Sequence, residues 1–254
     1  MRHFSLSLAL LALMSGSGLA ATDALPPHEP PGGWPHAGAL GTYDRASLQR
    51  GFQVYKQVCS VCHSLKLVSY RDLADLGFSE PEIKAIAADY QVTDGPNDDG
   101  EMYQRPAKPS DHFVGPYAND KAARAVNHGA LPPDQSLIVK ARHEGEDYIY
   151  SLITGYGQPV PPAETMGANM YYNPYFPGHQ IAMPAPLKGD EVTYSDGTKA
   201  TAEQEAKDVV QFLSWAAEPK MEVRKRTGLK VLIFLVVFAG VMYGVKKKIW
   251  KDIH

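Results

Sequence analysis

Apolar residues recur at three- and four-residue spacing in the first polar third of the chain, where Leu48, Phe52, Tyr55 and Val58 fall on one side of a helix. The stripe predicts a helix from Tyr43 to Val58, and Gly51 beside Phe52 leaves room for another helix to approach closely. The same period returns much later, with Val209, Val210, Phe212, Leu213 and Trp215 on or near one face. That helix is opened by the capping-box pattern Thr201-Ala202-Glu203-Gln204, runs to about Ala217 and is closed by Pro219. Two helices with aromatic stripes are natural packing partners. Between them, Ser79-Glu80-Pro81-Glu82 opens a short helix through Asp89, and Asp120 to Asn127 forms another that ends at His128-Gly129. Glu146 to Thr154 carries Tyr148, Ile149, Leu152 and Ile153 and is stopped by Gly155.

Other stretches lack a period. Leu25 to Leu40 is crowded with Pro and Gly and predicts an extended arm on the body, with His28 and His36 as surface or packing histidines. Ser64 to Leu76 carries no assigned element, and Ser136 to Arg142 has mixed periodicity. Thr93 to Tyr117 reads as loop, and the carboxylates between Asp94 and Glu101 read as solvated surface because the spacing of a calcium loop is missing. Lys188 to Gly197 reads as a loop or small hairpin. Gly157 to Pro186 is almost all Pro, Gly, Tyr, Asn and Met, and a structureless stretch of that length predicts a functional, ligand-wrapping loop.

The two ends are apolar in different ways. Arg2 and His3, the run Leu6 to Met14 and the small residues of Gly18-Leu19-Ala20 predict a secretory signal over residues 1–20, cleaved near Ala20 or Ala21. Leu229 to Val245 has Lys230 as its single charge and spans about 26 Å as a helix, enough to cross hydrocarbon with that lysine at the edge. The chain therefore divides into the signal, an exported domain over 21–220, and an anchor over 221–254 with its span at about 229–245. Lys246, Lys247, Lys248 and Lys251 place the short tail in the cytoplasm, and although Arg224, Lys225 and Arg226 flank the other side, the export signal decides for the same orientation. Charge follows this division. Residues 21–219 hold 15 Lys+Arg against 26 Asp+Glu, a net of −11, whereas residues 220–254 carry a net of +7. An acidic body on a basic stalk disfavours nucleic acid as a partner.

The chain's 2 cysteines both lie in Cys59-Ser60-Val61-Cys62-His63. This spacing lets two thiols add across the vinyl groups of a haem while the next imidazole sits under the iron. A structural zinc site lacks a second pair of cysteines, and a thioredoxin-like dithiol would follow a core strand rather than an amphipathic helix. One covalently attached haem c is the expected cofactor, with His63 as an iron ligand. The sixth position decides the chemistry, since a methionine sulfur raises the potential and closes the site. His112, His128, His143 and His179 stay open by spacing, as do Met166 and Met170. Met183 is the choice because Ile181-Ala182-Met183-Pro184-Ala185-Pro186-Leu187 brackets the sulfur with apolar residues and backbone-fixing prolines.

An ordered set of runs resembles the cytochrome c1 family in its bacterial form, the haem subunits of cytochrome bc1 complexes. The runs are Gly51-Phe52-Gln53-Val54-Tyr55 before the cysteine motif, Asn127-His128-Gly129-Ala130-Leu131-Pro132-Pro133-Asp134, Ala141-Arg142-His143, Leu152-Ile153-Thr154-Gly155-Tyr156 and Tyr172-Asn173-Pro174-Tyr175-Phe176-Pro177-Gly178, followed by the Met183 segment and the anchor. The resemblance implies that Met183 is the sixth ligand, that Arg142 and Tyr148 reach the haem propionates, and that Asn127 and the turn at Pro132-Pro133 line the pocket. It implies a mainly α, class I cytochrome c fold with long irregular insertions and one C-terminal transmembrane helix. It also implies work as the electron-transfer subunit of quinol–cytochrome c reductase, with cytochrome b and a Rieske iron–sulfur protein in a dimeric complex, a soluble cytochrome c as acceptor, and residence in the bacterial inner membrane with the haem domain in the periplasm. Family members differ in a disulfide away from the motif, and this chain has no further cysteines to form one.

Overall fold

Helix α1 (Arg45–Gln57) begins where the Asp44 carboxylate accepts hydrogen bonds from the backbone N–H groups of Ala46 and Ser47. The structure, a computed structural model, describes residues 24–251, so the expected signal segment 1–20 and its cleavage near Ala20 or Ala21 lie outside the described residues. Helix α5 (Ala202–Ala217) lies directly against α1, as the two stripes predict. The crossing is at Gly51, where an added Cβ would lie 2.0 Å from the Asp208 carbonyl oxygen. Phe212 then reaches the rings of Phe52 and Tyr55 at 5.7 and 5.5 Å, and Trp215 is buried beside it. A polar seam runs along the same interface. The fully buried Asp208 carboxylate accepts from Ser47 Oγ and from Arg50 Nε at 2.8 Å, so its charge is paired and hydrogen-bonded.

Helix α2 (Glu80–Ala88) has the predicted capping box, with Ser79 N–H donating to Glu82 Oε2 at 2.7 Å. Two elements depart from the sequence reading. The stretch before α2 contains a 3-10 helix, Tyr70–Leu76, capped by Ser69 and Asp72 and burying Tyr70, Leu73 and Leu76, a spacing of three that suits its tighter turn. The stretch expected to be loop contains a hairpin instead, strand β1 (Gln91–Asp94) pairing antiparallel with β2 (Tyr103–Pro106). Its strands are short and mostly exposed, so no apolar alternation marks them. Arg105 joins Asp94 to Asp111, and Asn97 Oδ1 accepts from the N–H groups of Asp99 and Glu101 in the turn.

Helix α3 (Asp120–Val126) and helix α4 (Gly145–Thr154) follow, the second packed on α5. The arm lies along α4 as expected. His28 N–H donates to Ser151 Oγ at 2.8 Å, Trp34 Nε1–H donates to Asp147 Oδ1 at 2.6 Å, and His36 Nε2 is 3.3 Å from Glu146 Oε1. The long loop after α4 is irregular except for a two-residue pairing of β3 (Tyr171–Tyr172) with β4 (Gln180–Ile181). Residues 188–197 form a loop. Helix α6 (Met221–Ile249) continues for 29 residues, and Met221 alone of them is buried. A helix this long and apolar with its side chains exposed is a single membrane span by length and composition.

Candidate functional site

The carboxyl end of α1 delivers the cysteine motif into one tight turn. Cys62 and His63 N–H both donate to the Cys59 carbonyl, at 3.1 and 2.9 Å, and Ser60 Oγ donates back to the Lys56 carbonyl. A single 3-10 turn, Cys59–Val61, therefore separates the two thiols by the three residues that bring positions i and i+3 to one side. Burial pushes the Cys59 thiol up to about 12, with the neighbouring Cys62 as the second cause.

His63 is buried, and its Nδ1 lies 2.8 Å from the Pro133 carbonyl oxygen. A carbonyl can only accept, so Nδ1 carries the proton and Nε2 is left with its lone pair. Burial lowers the pKa of the ring, against the Pro133 hydrogen bond and the Asp134 charge, and keeps it the neutral imidazole that a metal requires. Asp134 secures this arrangement. Its carboxylate accepts from Ser64 Oγ at 2.8 Å, Lys66 N–H at 2.9 Å and Ser136 N–H at 2.9 Å, and Gln135 N–H donates to the Ser64 carbonyl. The proline turn is thus stapled to the chain just after His63.

His63 opens onto a cleft of about 420 Å³, within the range of about 300–1,000 Å³ usual for cofactor sites. Cys62, Asn127, Pro132, Arg142, Tyr148 and Met183 line it as well, so all the sequence-selected residues except Cys59, which starts the adjoining turn, meet at one site. Its walls are apolar: Ile149 and Leu152 come from α4, Leu213 from α5 and Ile181 from β4. Asn127 caps α3 and donates to Tyr117 Oη and the Ala123 carbonyl. Arg142 is exposed, with Nη1 donating to its neighbour's carbonyl, and half-buried Tyr148 has a phenol pushed up by burial against the nearby Arg142. The other candidate ligands lie elsewhere. His112, His128 and His143 are exposed, His179 sits 2.7 Å from Glu164, and neither they nor Met166 or Met170 line the cleft.

These residues suit a c-type haem. The apolar walls fit a porphyrin face, the paired thiols and bare Nε2 stand on one side with a thioether residue on the lining, and a guanidinium and a phenol are available for carboxylates. Two residues with no role in the sequence reading also hold the site. Asp134 is one, and Tyr156, whose hydroxyl donates to the Met183 carbonyl at 2.9 Å, is the other.

The model of the Cytochrome C1 family matches residues 34–253. The chain belongs to the cytochrome c1 family. Among cytochrome c1 relatives, the protein named cytochrome c1 of Rhodospirillum rubrum is 50% identical over 235 residues, covering 87% of this chain and 86% of its own length. A mitochondrial cytochrome c1 heme protein of Arabidopsis thaliana is 55% identical over 202 residues, 80% of this chain and 66% of that one. The protein named cytochrome b/c1 of Bradyrhizobium diazoefficiens is 47% identical over 248 residues, and the match takes in 89% of this chain but 36% of that longer protein.

Proposed function

We propose that this cytochrome c1 holds one haem c through thioether bonds to Cys59 and Cys62, with His63 and Met183 as axial ligands, and serves as the electron-transfer subunit of a quinol–cytochrome c reductase. The observation that carries the reading is the pairing on one apolar cleft of an imidazole whose Nδ1 is committed to Pro133 and a methionine set among prolines. When bound, the haem supplies a one-electron iron couple. The chain's own residues would supply its surroundings: Pro133 fixes the His63 tautomer, the apolar α4 and α5 walls would shield the haem from water, Arg142 and Tyr148 would hold its carboxylates, and Asn127 and Pro132 would line its pocket. No side chain needs to act as acid or base.

In this reading the electron arrives from a Rieske iron–sulfur protein and leaves to a soluble cytochrome c that the acidic body attracts. The relative named cytochrome b/c1 supports assembly beside a cytochrome b; a dimeric complex in the bacterial inner membrane completes the reading. Residues 21–220 form the periplasmic domain, 221–254 the anchor, and the lysines after the span face the cytoplasm. Purification of the tagged chain from membranes tests the whole. A redox difference spectrum with c- and b-type signals, and an iron–sulfur signal in the same fraction, is expected; a lone c-type signal after gentle solubilisation contradicts assembly with a cytochrome b.

A further inference from the structure

Met183 ends an irregular stretch that begins after Tyr156 and whose regular pairing is the two-residue β3–β4 contact. Its other hydrogen bonds, such as Glu164 N–H to the Pro161 carbonyl and Gly167 N–H to Gln180 Oε1, hold the loop upstream of Met183. The Tyr156 hydroxyl, half-buried at the end of α4, donates to the Met183 carbonyl at 2.9 Å. That carbonyl belongs to the peptide bond preceding Pro184, so holding its oxygen fixes the peptide plane and, through it, the direction in which the Met183 side chain leaves the backbone. Tyr156 is itself held. Asn173, fully buried, donates Nδ2–H to the Leu152 carbonyl at 2.7 Å and lies beside the Tyr156 phenol, while Gly155 packs so tightly on Tyr175 that a Cβ would lie 2.5 Å from its ring. A carbonyl can only accept, so the phenol is the donor in this contact.

We propose that Tyr156 is a positioning residue for Met183, and that its hydroxyl sets how often the sixth position opens to external ligands. The inference rests on the reading of Met183 as an axial ligand. The test uses the full chain in its membrane complex, with carbon monoxide binding to the reduced form and the sulfur-to-iron charge-transfer band of the oxidised form as readouts. Loss of one hydrogen bond, about 0.5–1.5 kcal/mol net, corresponds to a rise of about 2- to 13-fold in the open population. Y156F is expected to retain its haem, bind carbon monoxide faster by that factor and lose the band at a lower pH than wild type. Where M183L abolishes the band but Y156F leaves binding and band unchanged, the Tyr156 inference is overturned while the ligand assignment stands. Where M183L leaves the band intact, the ligand assignment itself is wrong. Should Y156F fail to mature, 4-aminophenylalanine at position 156, which keeps a donor at the para position, is expected to hold carbon monoxide binding and the band near wild type, and 4-fluorophenylalanine, which cannot donate, to raise the binding; equal behaviour of the two overturns the proposal.

Discussion

Two atoms of His63 face opposite demands, and the Pro133 carbonyl resolves them by accepting a hydrogen bond from Nδ1–H, which leaves Nε2 bare. Asp134 makes this durable, because the carbonyl stays in place only while the turn is stapled to Ser64 and Lys66. Burial raises the Asp134 pKa, but hydrogen bonds from Ser136, Lys66 and Ser64 outweigh it and hold the carboxyl below its ordinary value. A depressed folded pKa gives stability that is present above the unfolded value and lost as pH falls through the folded one. D134N should therefore be less stable than wild type at neutral pH, by about 1.5–3 kcal/mol for hydrogen bonds to a charged group, and should show a shallower decline in acid. Thermal melts across that range check it; parallel curves for the two proteins contradict it. The motif and Met183 could be singled out in the sequence because cysteine spacing and proline context are local, and the structure brings them to one cleft. Asp134 and Tyr156 could not be, since each acts through a partner 70 or 27 positions away that no periodicity connects.

Among the elements, α1 and α5 were readable because each carries a long apolar stripe, and the glycine between Arg50 and Phe52 told where they cross. G51A tests that crossing. Its Cβ would meet the α5 backbone, which cannot swing away as a side chain could, so a loss of about 1–3 kcal/mol or more is expected in denaturant unfolding. A neutral G51A would mean that α5 sits farther away. The hairpin β1–β2 and the 3-10 helix were missed for a different reason: the first buries too little to leave a pattern, and the second follows a three-residue period over too few residues. The loop after Met183 is tied to α5 by Glu205, whose Oε1 accepts from Val192 N–H while Glu191 Oε1 accepts from Lys188 N–H. Both remaining carboxyl oxygens are buried without a donor. Burial, then the adjacent Glu191, raises the Glu205 pKa above the ordinary carboxylate range. A carboxyl raised in the folded state loses stability as pH climbs from the ordinary carboxylate range through its folded value. E205Q, which carries no charge to bury, should remove that loss and melt higher than wild type in mild alkali; an unchanged pH profile contradicts a raised Glu205 pKa.

Taken whole, the molecule is an acidic body on an apolar helix with basic flanks, and the net of −11 over residues 21–219 is its long-range signature. Encounter with a basic soluble acceptor should slow as salt shortens the Debye length from about 10 Å at 0.1 M, and a transfer rate indifferent to ionic strength would count against electrostatic docking. Division into body and anchor was legible from hydropathy alone, because a membrane span is written in consecutive residues. Closure of the cleft was not, because its walls come from α4, α5 and β4, far apart in the chain. Electron transfer by this cleft requires that His63 and Met183 be the two iron ligands. The optical spectrum of M183L purified with its haem attached tests this most directly: covalent haem is expected to be retained, the sulfur-to-iron band to disappear and the reduction potential to fall, whereas an M183L spectrum and potential identical to wild type would contradict the ligand assignment.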